Sequence, residues 1–154
     1  MRIACSRGDF ALLDMVSDPA GKVVFARNML REALFDAART GDVRVVDRLS
    51  FSPFSLDHSD AMAGAGAAFR IACRNGWHGV VERFGLPPYS VTKSDALAFG
   101  GVALLEACEG TNPELIRVLH DDPYLIARGD VDFEAIESAV RDPQVLAAVH
   151  HNFG

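Results

Sequence analysis

The chain has 154 residues, a formal charge of −6 and 49% hydrophobic side chains, enough for a real core but without the basic excess that draws nucleic acid or an anionic membrane surface. Its longest nearly apolar run, Ala61 to Phe69, is far shorter than the ~20 residues of a membrane-spanning helix, so no membrane span is expected. The N-terminus lacks the charged-then-apolar pattern of a Sec signal peptide.

In chain order, the opening Ala4-Cys5-Ser6-Arg7-Gly8-Asp9 matches Ala37-Ala38-Arg39-Thr40-Gly41-Asp42 at an offset of 33. Residues 33 to 49 then match 68 to 84 at an offset of 35, sharing Ala33/Ala68, Ala37/Ala72, Arg39/Arg74, Gly41/Gly76, Val45/Val80, Val46/Val81 and Arg48/Arg83. Residues 49 to 83 repeat in 84 to 118 without a gap, and Pro53-Phe54, Pro88-Tyr89 and Pro123-Tyr124 mark the same period. The last copy is looser, with Ala135-Ile136, Ala139-Val140 and Asp142-Pro143 echoing earlier positions at offsets of 32 and then 30. A period of this size predicts a repeat array. The units run approximately 1–20, 21–55, 56–90, 91–125 and 126–154, in a single repeat domain.

Within each unit the apolar spacing is helical. Ala33-Leu34, Ala37-Ala38 and then Val45-Val46, Leu49 recur at i, i+3 and i+4, as do Ala68-Phe69, Ala72-Cys73 and Val80-Val81, Phe84. Gly41 and Gly76 supply a residue with positive φ between the two clusters, and Asp42 and Asn112 are good N-caps for the second. Proline stops each outer helix, and Ser59-Asp60 or Ser94-Asp95 offers a cap for the next turn. Glycines 64, 66, 100 and 101 predict a kink or late start of the inner helix near Ala67 and Val102. The expected fold is all-α: stacked helix hairpins forming an α-solenoid of about 4.5 units.

The cysteines share one repeat position, since Cys5, Cys73 and Cys108 fall where another copy has Ala38. Packed helices lie roughly 8–10 Å apart, too far for a disulfide, so these thiols read as small core fillers. Reduced thiols suit a cytoplasmic location. Leu86-Pro87-Pro88-Tyr89 resembles a WW-domain ligand, but the proline–aromatic pair recurs in copies without that motif, which favours a structural role.

The segments Ala37-Ala38-Arg39-Thr40-Gly41-Asp42-Val43-Arg44-Val45-Val46-Asp47-Arg48-Leu49 and Ala72-Cys73-Arg74-Asn75-Gly76-Trp77-His78-Gly79-Val80-Val81-Glu82-Arg83-Phe84 resemble the helix-turn-helix of the ankyrin repeat. The resemblance covers residues 2 to about 126. No copy has the Thr-Pro-Leu-His opening of that family, and the connectors are a residue or two longer, which is similar to the divergent ankyrin arrays of bacterial effectors. It implies a module that binds a protein partner on its concave side, with no enzymatic activity, no cofactor and no metal. It also implies either a cytoplasmic location or delivery into a host cytosol.

On that reading the concave face carries Asp36, Arg39, Arg70, Arg74, Glu106 and Glu109, with Trp77 at the turn edge; the connector tips carry His58, Lys93 and Arg128. Trp77 stands where other copies have a polar residue, so it is either a hot spot or a cover for the hairpin end. The alternatives are a structural spacer or self-assembling array, or the non-catalytic part of a larger effector enzyme, the last suggested by an array that starts abruptly. No histidine pairs with a cysteine at a recurrent spacing, and no carboxylates are placed for acid and base work.

Overall fold

Alternating small and large apolar residues at helical spacing let one hairpin lie flat on the next. The computed structural model describes residues 27–52 and 54–154, so the opening unit at 1–20, Cys5 and Pro53 lie outside the described residues. Helix α1 (Arg27–Thr40) buries Ala33, Leu34, Ala37 and Ala38. It ends at Gly41, whose φ of +79° reverses the chain. Helix α2 (Val43–Leu49) follows, and the Asp42 carboxylate caps it by accepting from the Val45 N–H at 3.3 Å. A short turn α3 (His58–Ala61) leads into α4 (Ala63–Arg74) and α5 (His78–Gly85). The next copy repeats this with α6 (Lys93–Ala96), α7 (Ala98–Glu109) and α8 (Pro113–His120). A 3₁₀ turn (Arg128–Asp130), α9 (Phe133–Ala139) and α10 (Pro143–Phe153) complete the chain.

Inner helices pack on inner helices, α1 on α4, α4 on α7 and α7 on α9. Outer helices do the same, α2 on α5, α5 on α8 and α8 on α10. The described residues contain no strand. Ala37, Ala72 and Ala107 are buried at equivalent positions, as expected, and so are Cys73 and Cys108, both unbonded. Burial pushes the Cys73 thiol well above its ordinary value and the Cys108 thiol up to about 12, so neither forms a nucleophilic thiolate near neutral pH.

The expected kink is present and has an unusual form. Gly64, Ala65 and Gly66 all have left-handed dihedrals, with φ of 62°, 58° and 71°, and the right-handed helix resumes beyond them. Gly101, one period after Gly66, has φ +73°. The caps of the short turns differ from the expectation. Asp57 and Thr92 are the N-caps, and Asp60 and Asp95 sit three residues on, closing capping boxes back onto the Asp57 and Thr92 N–H groups at 2.9 and 2.8 Å.

The connectors are pinned by aromatic rings. Tyr89 is buried and donates its hydroxyl to the Val46 carbonyl at 2.6 Å; Tyr124 does the same to Val81 one period later. Tyr89 is therefore not available to a WW domain, although Leu86, Pro87 and Pro88 are exposed. The rings also pack on the core, Tyr89 against Phe84 at 5.2 Å and Tyr124 against Phe69 at 5.7 Å between centroids. Directly after each aromatic the chain takes positive φ, at Ser55, Ser90 and Leu125 (49°, 45° and 52°).

Tyr89→Phe keeps the ring but strips the hydroxyl from the Val46 carbonyl, and a loss of about 1–3 kcal/mol is expected in chemical denaturation. A smaller change than 0.5 kcal/mol would mean that water replaces the phenol. At the small-residue position, Cys73→Ala is expected to stay within about 1 kcal/mol of the parent, because Ala38 already occupies the equivalent site, whereas Cys73→Leu is expected to lower stability by about 1–3 kcal/mol through overpacking. Equal melting temperatures for the two variants would show that the inner helices have room to move apart.

Candidate functional site

Two sets of polar residues recur with the period, and the structure gives them different uses. The first set joins neighbouring copies. The Asp60 carboxylate accepts from Arg27 Nε at 2.9 Å and Arg31 Nε at 2.8 Å. One period on, Asp95 meets His58 Nε2 at 2.9 Å, and one further, Asp130 meets Lys93 Nζ at 2.6 Å. Each of these carboxylates also accepts from the cap residue three positions earlier, so one group both starts a helical turn and holds the copy before it. His58 and Lys93, expected as free connector tips, are thus engaged within the array. Arg128 lies over the Phe133 ring at 4.4 Å and donates to the Gly154 carbonyl at 3.3 Å.

Burial disfavours the charge on Asp60 and Asp95. The hydrogen bonds outweigh it, from Arg27, Asp57 and Arg31 in the first case and from His58 and Thr92 in the second, and both carboxyls fall below the usual carboxylate range. Asp130 is lowered too, chiefly by Lys93.

Trp77 also belongs to a joint. Its indole Nε1 donates to the Arg39 carbonyl at 3.0 Å, and a Cβ on Gly41 would lie 2.7 Å from the ring. Asn112, one period later, donates to the Gly76 carbonyl at 2.6 Å. Both residues cover the turn of the preceding hairpin, and the tryptophan still leaves 41% of its surface exposed. Arg83 is a joint that sequence reasoning did not single out. Its guanidinium reaches Asp47 Oδ1 at 2.7 Å, Ser50 Oγ at 2.9 Å and the Pro87 carbonyl at 3.1 Å, and lies over the Tyr89 ring. The Arg48/Arg83 identity was its signal, because two arginines at the same place before a proline–aromatic pair match the cation–π stacking seen in both copies.

The second set lies on the inner helices. Arg39, Arg74 and Glu109 are exposed at successive ends of α1, α4 and α7. Arg39 is 3.6 Å from Asp36, while the side chains of Arg74 and Glu109 form no ion pair or hydrogen bond among the described residues. Arg70 is held across the joint by Glu106 at 3.0 Å. Asp36 departs from the expected open face. It is 1% exposed and borders the space between α1 and α4, with Ala67 and Ala68 across from it. Between these charges run shallow cavities. One of about 500 Å³ lies between α1 and the left-handed turn of α4, bordered by Arg31, Phe35 and Ala67; another of about 170 Å³ adjoins Phe35, Ile71 and Arg74.

No helix among the described residues is long and apolar enough to cross a membrane, and no three His, Cys, Asp or Glu side chains there are grouped to hold a metal ion. No protein-family profile, curated protein or solved structure matches the chain.

The lowered carboxyls set the direction of the acid response. A folded-state value below the unfolded one of about 3.9 gives stability that is complete above that value and is lost as pH falls through the folded one. The melting temperature is expected to hold between pH 7 and 5 and fall below about pH 4. Asp60→Asn, which cannot carry the charge that Arg27 and Arg31 face, is expected to lower stability at pH 7 by about 1–3 kcal/mol and to flatten the acid limb. An unchanged acid limb in that variant would show that the Asp60 joint does not stabilise the fold.

Proposed function

We propose that the chain is a divergent ankyrin-type α-solenoid that recognises a protein partner along the face formed by its inner helices. The helix-turn-helix segments that resemble ankyrin repeats support the fold assignment, together with hairpins that stack inner on inner and outer on outer. One observation carries the choice of face. Of the ionisable positions that recur with the period, His58 and Lys93 are engaged in joints between copies, while Arg74 and Glu109 on the inner helices remain exposed, without intramolecular partners among the described residues. An exposed charge repeated at one step per copy beside partly apolar cavities is what a recognition surface needs, because it gives orientation while the apolar floor supplies contact area. Delivery into a host cytosol as the targeting part of a bacterial effector is consistent with the kind of array it resembles.

A photo-crosslinking residue placed at Glu109 on the inner face, and in a parallel protein at exposed Arg44 on the outer helix, tests the reading in cytosolic lysate. A discrete covalent adduct is expected from position 109 and none from position 44. Adducts from position 44 alone would put the partner on the outer face and overturn the choice of face, and adducts from neither would point to the spacer reading instead.

A further inference from the structure

Two exposed charges of opposite sign stand one copy apart on the inner face without pairing with each other. Arg74 closes α4 and Glu109 closes α7, and these helices are packed neighbours, so the two charges are separated by about one interhelical distance, roughly 8–10 Å. Their neighbours are already matched. Arg70 and Glu106 neutralise each other across the same joint at 3.0 Å, and Arg39 has Asp36 at 3.6 Å. A charge left unmatched amid matched ones is suited to an external partner, since opposite charges across an interface select and orient it. Arg74 also borders the 170 Å³ cavity whose apolar walls are the half-buried Phe35, Ala67 and Ile71. That space is about the size of one side chain, with Arg70 and Glu106 completing its lining.

We propose that the inner face reads an extended segment of a partner protein through a carboxylate against Arg74, a basic side chain against Glu109 and an apolar side chain seated on Phe35 and Ile71. In a polyproline II segment, with three residues per turn and about 3.1 Å per residue, side chains three residues apart share one face about 9 Å apart, giving an acid-x-x-base pattern. The inference rests on the inner face being the binding surface and adds what that surface selects.

Selection of displayed random linear peptides on the intact protein at low salt tests it. Enriched peptides are expected to share the acid-x-x-base pattern with a flanking apolar residue. Arg74→Glu is expected to weaken a selected peptide by about tenfold or more, as like charges meet across the contact. Exchanging both charges, Arg74→Glu with Glu109→Arg, is expected to invert the selected pattern to base-x-x-acid while leaving the melting temperature unchanged, which separates recognition from folding. Peptides that crosslink to the inner face but show no charge pattern, or that ignore the exchange, overturn this inference and leave the inner-face reading standing. Peptides that crosslink to the outer helices, or a selection that enriches nothing, overturn both.

Discussion

A phenol hydroxyl in a hydrocarbon core must find an acceptor or cost about 1–3 kcal/mol, and in this chain it finds one only by reaching into the preceding copy. Tyr89 donates to Val46 and Tyr124 to Val81, each bond spanning 43 residues. Two bonds with the same span fix the path of the connector relative to the hairpin before it, and the rest of the unit follows. With the ring held inward, by burial alone at Phe54 and also by the hydroxyl at Tyr89 and Tyr124, the chain turns out again at once, and Ser55, Ser90 and Leu125 take positive φ. Neither serine nor leucine favours that conformation, so the rings must hold it against a local cost of about 1 kcal/mol or more. The next strand of connector then delivers Leu56 and Val91 to the core, where the short capped turn begins.

The same geometry decides which polar groups are open to a partner. In a stack of hairpins, the capping carboxylate of one copy meets a basic side chain of the copy before it, from the inner helix at Asp60 and from the connector at Asp95 and Asp130. A carboxylate already holding a backbone N–H is a fixed acceptor, so a cation placed there loses little freedom in pairing. His58 and Lys93 are drawn into that role by position rather than by residue type, and the shared feature of His58, Lys93 and Arg128 in the sequence is a potentially basic side chain at one register. The carbonyls at the ends of the inner helices take part in joints, as Arg39 does with Trp77, but the side chains of Arg74 and Glu109 are exposed. Charges there have no carboxylate delivered to them by the repeat, which is why Arg74 and Glu109 stay exposed.

Much of this was legible in the sequence because a period of 35 residues turns weak local signals into repeated ones. The turn glycines, the caps at Asp42 and Asn112, the glycine kink, the row of buried alanines and the buried cysteines each follow from a residue type and its place in the unit. What the repeat could not show was contact between copies. Asp60 and Asp95 look like N-cap residues until the chain path puts Asp57 and Thr92 at the cap and turns them into the closing half of the box. Asp36 sits beside the apolar stripe in sequence, yet its burial depends on how closely α1 lies against α4. Trp77 was readable as either a hot spot or a cover, and its indole bond to the Arg39 carbonyl, which requires Gly41 beneath the ring, is a contact between hairpins that no spacing encodes.

The fourth hairpin shows what happens when the rule is relaxed. Its inner helix α9 is 7 residues long against 12 for α4 and α7, has no glycine turn at its start and buries Ile136 alone. Its outer helix α10 is longer, 11 residues, and buries Val145, Val149 and Phe153, the last packed edge-on against His120 at 5.8 Å between centroids. Apolar burial has moved from the inner to the outer layer. The side that α9 turns to solvent is polar, with Glu134 and Ser138 exposed and Glu137 bonded to His150 at 2.8 Å. Arg128 keeps the cation of the register but folds back onto Phe133 and the Gly154 carbonyl within its own copy. A joint of the kind made by His58 and Lys93 therefore needs both halves: the basic side chain is repeated by the sequence, and its direction is set by where the neighbouring carboxylate lies.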